Sequence, residues 1–229
     1  MNFLVEGFFQ AFRLLVSGNS ETYAAIAVTL KVSGYSIGCS LLIGIPFGFC
    51  LGYFDFSGKK TIRMLVDTLM ALPTVFIGLL VYAFLTHRGP LGNFGLLFTL
   101  PGIAIGQTIL ALPIVVALSA TAVENMDPKL RCAIMSMGAS RRQLFLSSLW
   151  ECRHGILAGA LAAYGRVMTE VGISMMVGGN IKWHTRTITT AIALETNKGK
   201  FGMGVALGLV LMIIALGVNV SVSFFRRRN

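Results

Sequence analysis

The chain has 229 residues, of which 55% are hydrophobic and 12% are charged, and its formal net charge is +10. Soluble domains carry about 25% charged residues, so the composition excludes an ordinary soluble protein and indicates an integral membrane protein. The basic residues are spread along the loops, which argues against nucleic-acid binding. We expect them to form a basic face against anionic membrane lipid.

Residues 1–20 predict a short amphipathic segment. Its apolar residues recur at helical spacing: Leu4, Phe8, Phe12 and Leu15. Glu6 and Arg13 interrupt the stretch and no small-residue cleavage site follows, which excludes a signal peptide. We expect this helix to lie at the membrane interface, with a short sixth span as the alternative.

Five apolar stretches follow, and each predicts a membrane-spanning helix. A span needs roughly 20 apolar residues, and the strict alternation of a membrane barrel is absent. The expected spans are residues 22–54, 63–86, 100–123, 155–178 and 202–225. The sequence therefore predicts an all-α polytopic protein with a transmembrane domain over residues 21–225 and a basic tail at 226–229.

The distribution of Lys and Arg predicts the orientation of these spans. With the N-terminus outside, 11 of the 19 basic residues lie on the inner side and 6 on the outer side. Because cytoplasmic loops carry the excess of Lys and Arg, we expect an inward C-terminus. The interval Glu124–Arg153, which we call the polar segment, should then be cytoplasmic. Lys31 falls within a span and is expected to snorkel outward.

Glycine and proline interrupt the apolar stretches. The first span contains Gly34, Gly38, Gly44, Gly48 and Gly52, and the prolines inside spans are Pro46, Pro73 and Pro113. Small residues let helices approach closely, and proline kinks a helix or frees a carbonyl. The pattern fits either tight packing or bent helices around a translocation path.

The polar segment predicts two short helices projecting from the membrane. Asp127 and Pro128 suit a helix start, so we expect a first helix over residues 130–137. Gly138 should end it, and Ser140 could cap a second helix over residues 141–151. Such a projection suits contact with a soluble partner.

The polar segment also resembles the cytoplasmic loop of ABC importer permeases. The resemblance rests on Ala133, GASRRQLF at 138–145 and GILAG at 155–159, and it extends over about residues 20–225. The segment departs from the family motif at Cys132, Ile134, Ser148, Trp150 and Glu151.

In that family the loop is a coupling helix that docks on a separate ATPase subunit. The resemblance therefore implies a type I importer permease that acts by alternating access. The coupling residues would be Ala133, Gly138, Ala139, Ser140, Arg141 and Arg142, with Glu124 helping to orient the loop.

Nucleotide-binding motifs are absent from the sequence. Neither GxxxxGK[ST] nor GxGxxG before a strand occurs, so we expect the partner ATPase, and not this chain, to bind ATP and Mg. No set of residues suggests a catalytic site, and no Cys or Cys/His spacing suggests a metal. We expect a permease subunit without its own enzymatic activity.

A second stretch resembles the tungstate-type branch of the oxyanion permeases. It consists of EVG (170–172), MMVGGNI (175–181), HTRT (184–187), TTAIALET (189–196) and KG (198–199). The resemblance implies import of tungstate, with molybdate or another anion as the alternative. A secondary transporter driven by an ion gradient is the alternative from another class, although it would need internal repeats and buried acids.

The same stretch offers candidate substrate contacts. Gly178, Gly179 and Asn180 can form a turn with exposed N–H groups, and His184 and Arg186 offer donors to an anion. The alternative is an outer loop that packs and contacts a partner without touching substrate.

Arg166 and Glu170 are four residues apart, on one face of a predicted helix. Charges inside the membrane are costly and often functional, so these two either pair with each other or line the translocation path. The resemblance further implies a homodimer with an extracytoplasmic substrate-binding protein as partner.

Overall fold

The computed structural model describes residues 2–16, 19–127, 129 and 134–228. Within them lie ten bounded α-helices, one 3-10 helix at Gly92–Phe94 and no strand, which confirms the all-α prediction. The α-helices are α1 (Asn2–Val16), α2 (Ser20–Tyr53), α3 (Lys59–Met70), α4 (Thr74–Leu85), α5 (Leu100–Glu124), α6 (Arg141–Glu151), α7 (Arg153–Met168), α8 (Gly172–Gly178), α9 (Ile188–Asn197) and α10 (Phe201–Arg228).

The helices provide between three and five candidate membrane spans in the described part of the chain. Ser20–Tyr53, Leu100–Glu124 and Phe201–Val220 are each long and apolar enough to cross a membrane. The pairs α3/α4 and α7/α8 are bent at short breaks, and each pair can count as one further span. The chain is therefore a polytopic membrane protein.

The expected span over residues 63–86 is two helices separated by Ala71–Pro73. Pro73 has no backbone N–H and disfavours helical geometry in the residue before it. It takes an extended conformation and caps α4. The proline that the sequence placed inside a span thus stands at a helix boundary.

The chain divides into two compact units. The first unit contains residues 1–36, 73–108 and 165–229, and the second unit contains residues 37–72 and 109–164. The polar segment belongs to the second unit, and the stretch 170–199 belongs to the first.

In the first unit, α1 packs on α10 through small residues. Ala11 and Leu14 are buried in one cluster with Ala206 and Val210. A Cβ on Gly7 would lie 2.9 Å from the Cβ of Val205, so this contact requires glycine. Phe8 and Phe12 of the predicted apolar stripe point away from this contact and are exposed, while the side chains of Leu4 and Leu15 lie outside the described part. At about 1.5 Å per residue, α1 is roughly 22 Å long, shorter than a bilayer core of about 30 Å.

In the second unit, glycines let α2 and α5 approach closely. A Cβ on Gly48 would lie 2.5 Å from the carbonyl oxygen of Val116, and one on Gly52 would lie 2.6 Å from that of Ala120. Gly44 similarly faces Val115, whereas Gly34 and Gly38 face open space. Tight packing therefore explains three of the five glycines in this helix.

Helix α3 has two partly buried basic residues and several exposed apolar residues, while its other charged residues, Lys60 and Asp67, are exposed. Lys59, Arg63 and Val66 are partly buried, whereas Met64 and Leu65 are exposed. Its exposed surface is therefore mixed, and the exposed apolar side chains suit contact with lipid, which solvates apolar groups.

Candidate functional site

The second helix of the polar segment forms as the sequence predicts. Helix α6 begins after Ser140, whose hydroxyl accepts a hydrogen bond from the Gln143 N–H at 3.3 Å, while the Gln143 side chain accepts one from the Ser140 N–H at 2.8 Å. This reciprocal capping box satisfies two N–H groups at the helix start. Gly138 has φ +76°, and this left-handed conformation, which favours glycine, ends the preceding turn.

The first helix of the polar segment is described only in part. The carboxylate of Asp127 accepts a hydrogen bond from the Lys129 N–H at 2.8 Å, as expected of a helix cap. Residues 134–136 are helical. Pro128 and residues 130–133, which include the predicted coupling residue Ala133, lie outside the described residues.

Helix α6 has one buried face and one exposed face. Leu144 and Ser148 are buried, and the Phe145 ring packs edge-on against Phe49 with centroids 4.6 Å apart. Of the predicted coupling residues, Gly138, Ser140 and Arg142 are exposed and Ala139 is half-buried, while the side chain of Arg141 lies outside the described part.

The polar segment also exposes large apolar side chains that the sequence analysis missed. They are Met135, Met137, Leu146 and Trp150, with Met137 86% exposed and Trp150 65% exposed. Exposed large apolar side chains can mark interaction sites, and Trp is enriched among the residues that dominate binding energy. The segment also contains other large apolar residues, such as the buried Leu144, so the sequence pattern alone does not identify the exposed ones.

Both ends of the polar segment pack against other residues of the second unit. Glu124 lies 3.8 Å from Lys59 and 3.9 Å from Arg63, and Arg63 also donates to the Thr121 hydroxyl at 2.6 Å. At the other end, Cys152 is buried, and burial raises the pKa of its thiol. The thiol therefore stays protonated and unreactive at neutral pH.

Arg166 and Glu170 form an ion pair, with Arg166 Nη1 3.1 Å from Glu170 Oε2. The expectation that both lie on one helix is wrong, because α7 ends at Met168 and Glu170 lies in the break before α8. Glu170 Oε1 accepts a hydrogen bond from the Ile173 N–H at 3.2 Å. The Glu170 carboxylate therefore caps the start of α8. Glu170 is 3% exposed, whereas the Arg166 side chain is 43% exposed.

Glu170 belongs to a buried polar network across the first unit. The Ser36 hydroxyl donates to Gln107 Oε1 at 3.1 Å, and Gln107 Nε2 donates to the Ser174 hydroxyl at 3.3 Å. The hydroxyls of Ser174 and Thr189 both donate to the Glu170 carbonyl oxygen, at 3.4 and 3.0 Å. The network links α2, α5, α8 and α9. Nothing in the local sequence around Ser36 or Gln107 indicated it.

We call residues 178–187 the glycine loop. Gly179 has φ +67° and its N–H donates to the Met175 carbonyl at 3.0 Å, which terminates α8. A Cβ on Gly178 would lie 2.6 Å from Ile103 Cδ1, and one on Gly179 would lie 2.7 Å from Phe98 Cδ1. The glycine pair therefore serves helix termination and close packing.

The amides of the glycine loop are largely bonded within the loop. The Ile181 N–H donates to the Thr185 hydroxyl at 3.1 Å. The N–H groups of residues 184–186 all donate to the Ile181 carbonyl. Of the expected turn, the Gly179 N–H is not free, because it donates to the Met175 carbonyl.

Arg186 is also engaged internally. Its Nε donates to Asn180 Oδ1 at 3.1 Å, and its Nη1 forms an ion pair with Glu21. Lys182 Nζ lies 2.7 Å from the other oxygen of the Glu21 carboxylate. Glu21, which the sequence analysis did not single out, pairs with both Lys182 and Arg186 of this loop. His184 is exposed, and no hydrogen bond or ion pair of its imidazole is found in the described part of the chain.

Across the described ranges, no cluster of three His, Cys, Asp or Glu side chains is placed to hold a metal ion. The first unit holds a buried polar network, and the second unit holds an exposed capped helix. With their apolar helices, these features define a polytopic helical membrane protein.

Residues 44–229 match the family described as "Binding-protein-dependent transport system inner membrane component". Because this match covers most of the chain, the protein belongs to that family of membrane permease components.

Named relatives agree with this assignment. The chain is 49% identical over 201 residues to the tungstate uptake system permease protein TupB of Campylobacter jejuni, covering 88% of this chain and 84% of the relative. It is 30% identical over 190 residues to the molybdenum transport system permease protein ModB of Escherichia coli K12, covering 79% and 83%.

A solved structure of a bacterial alginate ABC transporter, in complex with an alginate-bound periplasmic protein, has the same fold. The TM-score is 0.73 at 20% identity, over 97% of this chain and 86% of that one.

Proposed function

We propose that this chain is the membrane-spanning permease of an ATP-driven importer of tungstate. The assignment of tungstate as the substrate rests on the 49% identity, over 88% of the chain, to a relative named for tungstate uptake. Identity to the relative named for molybdenum transport is 30%. Molybdate is the second candidate, because it is a dianion of the same charge and nearly the same size.

In this proposal a separate ATPase subunit docks on the polar segment and binds the ATP and Mg. Support comes from the exposed Met137, Leu146 and Trp150 beside the exposed Arg142. A solvated loop without a partner has little reason to expose so much apolar surface. The capping box at Ser140 and the packing of Phe145 on Phe49 hold α6 in place, so that force on it can reach the helices.

Transport would proceed by alternating access in a homodimer, with the path at the two-fold interface. Arg166 suits a place along this path, because its side chain is 43% exposed while its partner Glu170 is buried. A partly exposed guanidinium attracts a dianion, and the buried carboxylate holds it in position.

A substrate-binding protein would deliver the anion on the side of the glycine loop. The surplus of Lys and Arg in the polar segment and tail supports placing those parts in the cytoplasm. The N-terminus would then lie outside.

Reconstitution into vesicles tests the proposal. The chain, its ATPase and its binding protein are placed in liposomes with ATP on the ATPase side, and internal tungsten is measured by mass spectrometry. We expect uptake that requires all three proteins and stops with a non-hydrolysable ATP analogue. Uptake by the chain alone, driven by an ion gradient, would instead establish a secondary transporter.

The same vesicles separate the two oxyanions. With tungstate and molybdate supplied together at equal concentration, tungsten should accumulate in excess of molybdenum. Equal accumulation, or an excess of molybdenum, would contradict the substrate assignment and leave the ATP-driven mechanism intact.

A further inference from the structure

Two bulky residues of the first unit have left-handed backbone conformations. Phe98 has φ +61° and Trp183 has φ +69°. This conformation costs an L-residue roughly 1–2 kcal/mol, and strained residues of this kind cluster at binding and active sites. Both residues line one cleft of about 490 Å³.

The walls of this cleft are held in place by contacts within the first unit. The Phe98 N–H donates to the Val177 carbonyl at 2.8 Å, and the Phe98 ring covers Gly179. Lys182 Nζ lies over the Trp183 ring, 5.2 Å from its centroid. The strained aromatic residues are therefore fixed where they border the cleft.

The cleft is electropositive. Its lining includes Lys31 and His184, and none of its described lining residues is acidic. Leu100, the first residue of α5, also lines it, and the N-terminal end of a helix carries partial positive charge. The Lys31 charge, the helix N-terminus and the His184 imidazole, which offers an N–H donor, therefore border one small volume.

Lys31 and His184 differ from Lys182 and Arg186 in being available. Lys182 and Arg186 are both paired with Glu21. For Lys31 and His184, the described residues supply no ion-pair partner. Lys31, which the sequence predicted to snorkel outward, lines this cleft beside Trp183 and Thr185.

We propose that this cleft binds a tetrahedral oxyanion dianion, with Lys31 and His184 as the residues that contact it. It would be the first site on the permease to receive an anion released by the binding protein. The inference rests on the proposed oxyanion transport and deepens it by assigning a substrate contact.

Binding to the purified permease tests the cleft directly. The full chain in lipid nanodiscs, without binding protein or ATPase, is dialysed against tungstate, and bound tungsten is measured by mass spectrometry. We expect saturable binding to the wild-type chain. Lys31→Met and His184→Gln should each lower the affinity about tenfold or more, and Lys31→Arg should retain most of it.

Lys198→Met is the matched control, because Lys198 is an exposed cation of the same unit that pairs with Glu195 at 2.8 Å. Its affinity should stay within about twofold of wild type. Thermal unfolding of every variant shows whether it folds. Absence of binding to the wild-type chain, or equal affinity in folded Lys31→Met and Lys198→Met, would overturn the proposal.

Vesicle uptake distinguishes this inference from the proposed function. If wild-type vesicles import tungstate and Lys31→Met leaves the KM for uptake unchanged, the cleft assignment fails while the transport function stands. If wild-type vesicles import no oxyanion, the proposed function fails. The dialysis result alone then decides whether the cleft binds an oxyanion.

Discussion

The polar segment and the glycine loop are both rich in polar residues, yet they use them in opposite ways. In the polar segment, Arg142 and Trp150 face outward, and its second helix is fixed by a capping box between neighbours. In the glycine loop, Arg186 is turned inward to Glu21, a residue 165 positions away in the chain. One region leaves these side chains exposed, and the other uses them to hold itself together.

The difference teaches where each region should be sensitive to mutation. Changes in the glycine loop and the adjoining Glu170 network should lower stability, because buried groups lose their partners. Changes in the polar segment should cost about 1 kcal/mol or less and impair association with a soluble subunit instead.

The largest expected loss of stability comes from Glu170→Ala. It removes the partner of Arg166 and the cap of α8. We expect a loss of about 3 kcal/mol, less than for a fully buried pair because Arg166 is partly exposed. For a chain of this size that lowers the unfolding midpoint by roughly 6–12 °C, measured by tryptophan fluorescence in nanodiscs. Glu151→Ala, an exposed glutamate of the polar segment, should stay within about 0.5 kcal/mol. An equal shift of the unfolding midpoint in both variants would contradict the proposed difference in stability between the two regions.

A double variant separates the structural role of this pair from a role in transport. Arg166→Gln with Glu170→Gln removes both charges and keeps an oxygen that can accept from the Ile173 N–H. Stability should recover most of what Glu170→Ala loses. If Arg166 lines the path, tungstate uptake by the double variant should be lower than that of the wild type. Uptake equal to that of the wild type would show that the ion pair has only a structural role.

A smaller effect is expected when alanine replaces glycines in the two regions. Gly179→Ala meets both a left-handed φ and the Phe98 ring, so we expect a loss of about 2–3 kcal/mol. Gly138→Ala has a similar φ of +76° but faces open space, and should lose about 1 kcal/mol. The difference between the two unfolding midpoints isolates the Phe98 contact. Equal losses would show that backbone strain alone sets the effect.

The smallest of these effects is at the helix cap of the polar segment. Ser140→Ala removes the hydroxyl that accepts from the Gln143 N–H and should cost about 1 kcal/mol. Ser147→Ala, at an exposed position in the same helix, is the control and should be neutral. Hydrogen exchange at the first turn of α6 would show the difference, and unchanged protection in Ser140→Ala would contradict the cap.

The sequence predicted those features that depend on local signals. The start of α6 follows from Ser140 and Gln143, three residues apart, and the break before it follows from Gly138. The apolar stretches likewise predicted the helices, because length and composition decide whether a helix can span a membrane.

The site roles were harder to predict because they depend on contacts between distant residues. Glu21 reaches Arg186 only after folding, and Gln107 meets Ser174 across 67 positions. The Gly179 amide, expected to be free, instead donates to the Met175 carbonyl at the end of α8, since local pattern does not reveal which donors a fold uses. Lys31 had the sequence signature of a snorkelling lysine, and the cleft it lines is formed by three separate stretches of chain.

The most direct test of the account is whether the partner ATPase binds at the polar segment. Gly138→Trp places a large side chain there, and Gly199→Trp places the same side chain at a matched glycine, with φ +75° and open space around it. Affinity of the ATPase for each variant in nanodiscs is measured by surface plasmon resonance. We predict at least a tenfold loss for Gly138→Trp and none for Gly199→Trp. Equal ATPase affinity in the two variants would contradict docking at the polar segment.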